Sequence, residues 1–136
     1  MKPLHEIILR GNDPTGHGYY GAKRGNRKHK GLDLCAEPGN IVLSPINGIV
    51  TKIGTVYKHT SKFKYIQVTG DVYKVRLMYA KLKTPGIKLN SRVFEGMEIG
   101  IVQDIAGFWG SKMKNHLHME VYKHGLLTDP EPLLTE

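Results

Sequence analysis

Four residues in two short motifs have the types and the spacing that metal chemistry needs. His29 stands four residues before Asp33, and His116 stands two residues before His118. Side chains alternate between the two faces of a β-strand, so His116 and His118 would project from one face, about 7 Å apart. Such a pair can share one metal ion, or one imidazole can bind the metal while the other contacts the reacting group. The alternative is that both are polar residues on the solvent face of a strand.

The first motif places an imidazole and a carboxylate where a loop enters a predicted strand. These two groups together suit zinc, and three protein ligands with a fourth position left to water are typical of a catalytic site. A structural site would normally use four protein ligands, and the single cysteine, Cys35, lacks the paired spacing of such sites. The alternative for His29 and Asp33 is a surface salt bridge or a turn cap.

Short apolar runs bounded by turn residues predict the strands that position these motifs. Ile41–Leu43 is followed by Ser-Pro, a turn signal. Residues 64–69 and 72–82 flank Gly70-Asp71 and predict a β-hairpin, and residues 116–122 alternate as a final strand. The sequence therefore predicts an all-β fold, an antiparallel sandwich or barrel of short strands with long glycine-rich loops.

A long glycine-rich segment precedes the first motif. Residues 11–31 contain six glycines and no hydrophobic periodicity, which indicates a loop, and long ordered loops usually carry function. Tyr20 in this segment and Trp109, in a loop before the histidine pair, are candidate walls of a substrate groove; the alternative is that they pack the loops themselves. Asn115, beside the pair, is a candidate for contacting substrate or for orienting an imidazole.

Length and charge limit the functions that the chain can have. Its 136 residues carry 20 Lys and Arg against 12 Asp and Glu, a formal net charge of +8, which implies attraction to an anionic partner or serves solubility. No basic strand interleaved with aromatic residues indicates nucleic acid, and no apolar run approaches the roughly 18 residues of a membrane span. We expect a single domain over residues 1–136, with neither nucleic acid nor a membrane as partner.

Further motifs accompany these residues in order along the chain: Arg27-Lys-His-Lys-Gly-Leu-Asp-Leu34, Ser44-Pro45 with Gly48 and Val50, Tyr79-Ala-Lys-Leu82, Phe94-Glu-Gly96 with Ile99-Gly100, and His116-Leu-His118 with Glu120. This order resembles the lysostaphin and LytM-type zinc metallopeptidases, family M23, from about Gly18 to Pro130. The histidine-rich entry segment is also similar to the leukocyte chemotaxin branch of that superfamily. The resemblance implies a β-rich domain whose antiparallel sheet forms the floor of a substrate groove.

The resemblance also implies a role for each motif residue. His29, Asp33 and His118 match the family's zinc ligands, and His116 matches a catalytic base or transition-state stabiliser beside the attacking water. The family's remaining active-site histidine belongs at position 81, where this chain has Lys81. Because a lysine side chain is a cation at neutral pH, we expect Lys81 to stabilise a developing oxyanion.

The function implied by the resemblance is hydrolysis of peptide cross-links in bacterial peptidoglycan by a zinc endopeptidase of a phage or a bacterium. The expected cofactor is Zn²⁺, and the expected partners are the peptidoglycan peptide and an assembled phage tail or baseplate. The alternative is that catalysis is impaired and that the domain is a zinc-containing module that binds cell wall or protein. The N-terminal residues lack the apolar core of a signal peptide. We therefore expect synthesis in the cytoplasm and delivery to the cell wall by other machinery, such as a virion.

Overall fold

The computed structural model describes residues 1–110 and 112–135, and antiparallel strands dominate it. The strands are β1 (Asn12–Asp13), β2 (Gly16–His17), β3 (Lys23–Arg24), β4 (Arg27–Lys28), β5 (Leu32–Cys35), β6 (Ile41–Leu43), β7 (Gly48–Thr55), β8 (Lys64–Thr69), β9 (Tyr73–Met78), β10 (Ala80–Leu82), β11 (Arg92–Val93), β12 (Glu98–Val102), β13 (His116–Lys123) and β14 (Leu126–Thr128). One helical turn, α1 (Ala106–Trp109), and a 3-10 helix (Glu131–Leu133) complete the described elements. Neither has the length or the apolar content that a membrane-crossing helix requires. The all-β prediction is confirmed.

Two sheets share the hydrophobic core. The larger one has the strand order β11-β7-β8-β9-β13-β14, with β5 also paired to β13, and the smaller one has the order β10-β12-β6. Apolar side chains on the inner faces, such as Ile66 and Leu77, are fully buried between them. The assignment of residues 1–136 to one domain stays a prediction.

Strand β13 lies inside the larger sheet and carries the histidine pair. Its residues Leu117, Met119 and Val121 are fully buried in the core, as the alternating pattern predicted. His116 and His118 therefore project from the opposite face. Strand β9 pairs with one edge of β13, while β5 and then β14 pair with the other edge. Because β5 is a direct neighbour, Asp33 lies opposite His118 in the register.

The glycine-rich segment is more regular than a loop. It forms two minimal hairpins, β1-β2 and β3-β4, in front of strand β5. In the second hairpin Arg24 pairs with Arg27, and Gly25 takes a positive φ of 62° at the turn. A glycine at the first central position is what a two-residue type II′ turn requires. The hydrophobic pattern could not reveal these hairpins because neither of them buries an apolar face.

The predicted hairpin around Gly70-Asp71 forms, but its second strand is interrupted. Strand β9 ends at Met78, and Tyr79 has a positive φ of 65°, an uncommon conformation for a residue with a bulky side chain. The chain then continues as β10, which leaves the larger sheet and pairs with β12. The prediction of one continuous strand over residues 72–82 is therefore wrong. This break decides which side chains of the segment reach the site.

Candidate metal centre and active site

Three side chains converge on one point in front of β13. The distances are 3.0 Å from His29 Nε2 to His118 Nδ1, 2.9 Å from His118 Nδ1 to Asp33 Oδ1, and 3.3 Å from His29 Nε2 to Asp33 Oδ1. A tetrahedral zinc ion with bonds of about 2.0–2.1 Å separates its ligand atoms by about 3.3 Å. The three donor atoms therefore already have nearly the spacing of one triangular face of a zinc site.

In each of the two converging histidines, His29 and His118, an oxygen fixes the outer ring nitrogen. His29 Nδ1 lies 2.8 Å from the carbonyl oxygen of Tyr19, and His118 Nε2 lies 2.9 Å from Glu120 Oε2. Because those oxygens only accept, each outer nitrogen carries a hydrogen, and in a neutral ring the inner nitrogen then presents a lone pair. Two lone pairs 3.0 Å apart repel each other unless a proton or a metal ion lies between them. The donor set therefore fits a metal ion.

A glycine, Gly31, allows its loop to approach His118 closely. A Cβ atom built on Gly31 would lie 2.7 Å from His118 Nε2 and 2.4 Å from the carbonyl oxygen of Met119. Both distances are shorter than any real Cβ contact, so a larger residue would displace the chain between His29 and Asp33. Gly31 thus keeps the spacing of the first motif compatible with the position of His118.

Carboxylates on both sides of His118 favour positive charge there. Burial alone would lower the pKa of His118, but the hydrogen bonds to Asp33 and Glu120 outweigh it and raise the pKa to about 9. Burial would likewise raise the pKa of Asp33, yet its hydrogen bonds with His118 and His29 hold that pKa far below the usual range. The same carboxylates that stabilise a proton at this point would stabilise a metal ion.

His116 lies beside the three converging residues, and its environment keeps it neutral. Its side chain is 5% exposed, and Nδ1 lies 2.8 Å from the carbonyl oxygen of Lys114, which therefore accepts a hydrogen bond from the ring. Nε2 lies 3.5 Å from Asp33 Oδ2. Burial lowers the pKa of His116, and this effect exceeds the opposing attraction to Asp33. At neutral pH, His116 can accept a proton on Nε2.

A buried arginine holds the other carboxylate oxygen of Asp33. The Arg10 side chain is 3% exposed and donates from Nη1 to Asp33 Oδ2 at 2.8 Å. It also donates to both carboxylate oxygens of Asp13, at 2.9 and 3.0 Å, and to Thr15 Oγ1. The backbone N–H of Lys114 donates to Asp13 as well. Arg10 therefore leaves only Oδ1 of Asp33 free to bind a metal ion. No pattern in the sequence predicted this role of Arg10.

We expect Arg10→Met to lower the free energy of unfolding by about 3–5 kcal/mol, because the substitution leaves two buried carboxylates without their cation. Arg10→Lys should fall between this variant and the wild type, since an ammonium group cannot bridge both carboxylates with a planar fork. Urea denaturation measures the difference. The exposed Arg92→Met is the matched control, expected to change stability by no more than about 0.5 kcal/mol. Equal losses in the Met variants would contradict this role.

An open cavity of about 1220 Å³ surrounds these residues. It is lined by His29, Asp33, His116 and His118 together with aromatic, basic and apolar side chains from several loops. Typical sites for small ligands have volumes of about 300–1000 Å³. The size and openness of this cavity suit a segment of polymer that extends past the metal centre.

The family model for peptidase family M23 matches residues 27–130, which contain His29, Asp33, His116, His118 and Glu120 but not the supporting residues between Arg10 and Tyr19. The chain belongs to peptidase family M23.

The proteins similar to this M23 chain are of different kinds. Leukocyte cell-derived chemotaxin-2 of Mus musculus is 25% identical over 113 residues, which cover 82% of this chain and 72% of that protein. The catalytic domain of the antimicrobial peptidase lysostaphin from Staphylococcus simulans superimposes with a TM-score of 0.62 at 18% identity, covering 94% of this chain and 98% of that one. The resemblance to lysostaphin in fold is thereby confirmed.

A longer structure also contains the fold. Helicobacter pylori Csd3 superimposes with a TM-score of 0.68 at 20% identity and covers 99% of the M23 chain. The chain corresponds to 34% of Csd3, so it spans about a third of that protein's length.

Two of the predicted substrate-binding residues of the M23 chain line the cavity, and a third does not. Tyr20 and Trp109 are among the lining residues. Asn115 instead accepts backbone hydrogen bonds from Ile105 and Ala106, at 2.9 and 3.0 Å, and donates to two backbone carbonyls. All of its hydrogen-bonding groups are occupied, so the expected substrate contact does not fit. Asn115 holds the start of α1 and thereby positions Trp109.

Lys81 lies outside the cavity. It is exposed on β10, where it pairs with Ile101 in the smaller sheet. In an uninterrupted strand, Tyr79 and Lys81 would share a face, but the positive φ at Tyr79 turns the chain between them. The expectation that Lys81 contributes to the site therefore does not fit this structure.

Tyr79 lines the cavity instead of Lys81. No role was predicted for Tyr79 from the sequence. Its ring meets that of His116 edge to face, with centroids 5.6 Å apart, and its hydroxyl lies 2.8 Å from that of Tyr57. Burial and the hydrogen bond with Tyr57 raise the pKa of Tyr79 far above its usual value, so it stays a phenol. One hydrogen joins the two hydroxyls, and the other remains available as a donor. Tyr79 belongs to the Tyr79-Ala-Lys-Leu82 motif, but the sequence does not indicate its positive φ.

Proposed function

We propose that this M23 chain is a zinc-dependent endopeptidase that hydrolyses peptide cross-links of bacterial peptidoglycan. The observation that carries the proposal is the convergence of His29, Asp33 and His118 on one point, with the neutral imidazole of His116 beside it. Three donors with an open side are the arrangement of a catalytic rather than a structural zinc site. Peptidoglycan is the substrate class implied by the resemblance to lysostaphin-type peptidases.

His29 Nε2, Asp33 Oδ1 and His118 Nδ1 are the atoms that would hold the zinc ion. Glu120 orients His118, the carbonyl oxygen of Tyr19 orients His29, and Arg10 restricts Asp33 to one oxygen. Zinc bound there supplies Lewis-acid polarisation of the scissile carbonyl and activation of the attacking water.

The protein's own groups then handle the proton and the developing charge. His116 Nε2 accepts the proton of the attacking water and returns it to the amine that leaves, so that one C–N bond is broken and one C–O bond is formed. The Lys114 carbonyl oxygen keeps the imidazole in the required tautomer throughout. The free O–H of the Tyr57–Tyr79 pair donates to the carbonyl oxygen as it becomes negative.

Replacing Tyr79 with phenylalanine should lower the turnover of peptide hydrolysis by about 10²-fold, because it removes one of the two paired hydroxyls that together orient and supply the donor to the oxyanion. Lys81→Met should leave turnover within about twofold, since the side chain lies outside the cavity. Steady-state rates on one peptide, with zinc content measured in parallel, separate the two residues. The opposite result, a slow Lys81→Met and an unchanged Tyr79→Phe, would restore the role that the sequence predicted for Lys81.

A binding module without peptidase activity is the second candidate. The similarity to mouse leukocyte cell-derived chemotaxin-2, and the lysine at the position of an expected active-site histidine, both favour it. In this case the zinc site would be a rigid element of a surface that recognises cell wall or protein.

Digestion of purified cell walls distinguishes the two candidates. Zinc-loaded protein is incubated with peptidoglycan preparations of several cross-link chemistries, and newly formed amino groups are quantified. We expect new amino groups to be released from at least one preparation. No release is expected when a chelator has removed the zinc beforehand. Binding to the walls without any release of amino groups, across all preparations, would favour the binding module.

The proposed place of action is the cell wall, with an assembled phage tail or baseplate as the carrier. The net charge of +8 supports attraction to an anionic wall. Copurification with virions, tested by immunoblotting of purified particles, is the measurement that addresses the carrier.

A further inference from the structure

We infer that the basic hairpin, residues Lys23–Lys28, binds carboxylate groups of the substrate, so that the preferred substrate is an acidic peptide. This inference rests on the proposed function, because it describes the specificity of the same cavity. It concerns side chains that the proposed chemistry does not use.

Positive charge is concentrated in one segment of the chain that lines the cavity. Residues 14–32 contain five Lys or Arg residues and no Asp or Glu. Four of these basic residues line the cavity: Arg24, Arg27, Lys28 and Lys30. Two of them directly flank His29, so an anion bound by them lies next to the metal centre. The anionic group and the reacting peptide bond can therefore belong to one substrate molecule.

The hairpin places like charges opposite each other. Lys23 pairs with Lys28, and Arg24 pairs with Arg27. Like charges at directly opposed positions destabilise an antiparallel pair, and this hairpin is only two residues long on each side. An anion bound between the two members of a pair would reduce the repulsion within that pair.

No carboxylate of the described residues, 1–110 and 112–135, forms an ion pair with the hairpin. The two carboxylates that line the cavity are already occupied. Asp33 is paired with Arg10 and lies against the histidines, and Glu120 contacts His118. Arg24 donates to the backbone carbonyl oxygens of His17 and Lys23, whereas Arg27, Lys28 and Lys30 remain available to a ligand that enters the cavity.

Aromatic side chains from other segments also line the cavity. Tyr57, Tyr79 and Trp109 are among them, and the rings of Tyr57 and Trp109 meet edge to face with centroids 6.0 Å apart. Aromatic faces favour uncharged and apolar groups of a ligand. A peptide lying across the metal centre would therefore place its carboxylates at the hairpin and its uncharged part against the aromatic rings.

Trp109 provides a direct probe of binding, since it is the only tryptophan of the chain and is half exposed on the cavity wall. Two synthetic nonapeptides, identical except that three glutamates in one are glutamines in the other, are titrated into zinc-loaded protein while tryptophan fluorescence is followed. Mass spectrometry of the recovered peptides checks that neither peptide is cleaved during the titration. We expect the acidic peptide to bind about tenfold more tightly, and this advantage to shrink at high salt.

The matched variants are Arg27→Gln with Lys28→Gln, and as a control Lys52→Gln with Lys123→Gln. All four residues are exposed, and both double variants remove two positive charges, but the control pair lies outside the cavity. The hairpin variant should lose most of the preference for the acidic peptide, and the control should keep it. Equal binding of the two peptides by the wild type, or equal losses in both variants, would overturn the inference.

Two further outcomes separate this inference from the proposed function. Tight binding of the acidic peptide without cleavage of any wall would contradict the peptidase but not the anion site. Cleavage of a wall preparation without any preference for acidic peptides would contradict the anion site but not the peptidase. A glycerol phosphate oligomer of matched charge serves as competitor, and if it bound more tightly than the acidic peptide, the assignment to carboxylates would be wrong.

Discussion

Replacing His116 with alanine is expected to lower peptide hydrolysis by about 10²- to 10⁴-fold while the zinc content stays that of the wild type. A positioned general acid–base group contributes a factor of this size. Burial lowers the pKa of His116, and its Nδ1 is held by the Lys114 carbonyl oxygen, so Nε2 is a neutral acceptor at pH 7. Initial rates on a cross-link peptide and elemental analysis of the same sample measure both quantities.

The control for this experiment is an exposed histidine outside the main cavity, His5. His5→Ala should keep the wild-type rate, which shows that loss of an imidazole as such is harmless. A His116→Ala variant that hydrolyses at the wild-type rate would contradict the role of general base. Loss of zinc from this variant would instead make His116 a metal ligand.

Zinc binding should be weakened by more than about 100-fold when His29, Asp33 or His118 is replaced, because each substitution removes a direct ligand. Replacing a partner that only orients a ligand typically costs about 10- to 100-fold in metal affinity. Glu120→Gln, which keeps the contact with His118 but removes the charge, should therefore weaken binding less than His118→Ala does. Competition with a chromogenic chelator measures the affinities.

Asp33 needs a conservative variant because Arg10 depends on it. Asp33→Ala leaves the guanidinium short of one partner, whereas Asp33→Asn keeps the size of the side chain. Both should lose zinc, and circular dichroism establishes that Asp33→Asn is folded. A protein that takes up no zinc under non-chelating conditions, or ligand variants that bind as the wild type does, would contradict the metal centre.

The strand that carries the histidine pair could be predicted from the sequence because its pattern is local. Alternation places Leu117 and Met119 in the core and His116 and His118 on the other face, and neither statement depends on which strands lie beside β13. The identity of those neighbours is not local. That Asp33 lies opposite His118 follows from the pairing of β5 with β13, across 85 residues of sequence.

Arg10 and Tyr79 show why part of the site could not be predicted. Arg10 belongs to a segment without periodicity, and its partner Asp33 lies 23 residues away. Tyr79 enters the cavity only because its backbone takes a left-handed conformation. No residue of the Tyr-Ala-Lys-Leu motif indicates that conformation. Lys81 was expected at the site because it occupies the position of the family's remaining active-site histidine, and that expectation did not take the turn of the backbone at Tyr79 into account.

The sequence by itself determined the chemistry of the donors, their distribution over two motifs, the all-β class and, through the order of its motifs, the family. These properties depend on residue types and on short-range periodicity, which the chain carries whatever its tertiary contacts are. Only the tertiary structure decided which nitrogen of each histidine faces the centre, which oxygen of Asp33 is free, and that Tyr79 rather than Lys81 faces the cavity. Each of these depends on a contact between distant segments or on one backbone angle, because strand register and left-handed residues set the direction of a side chain.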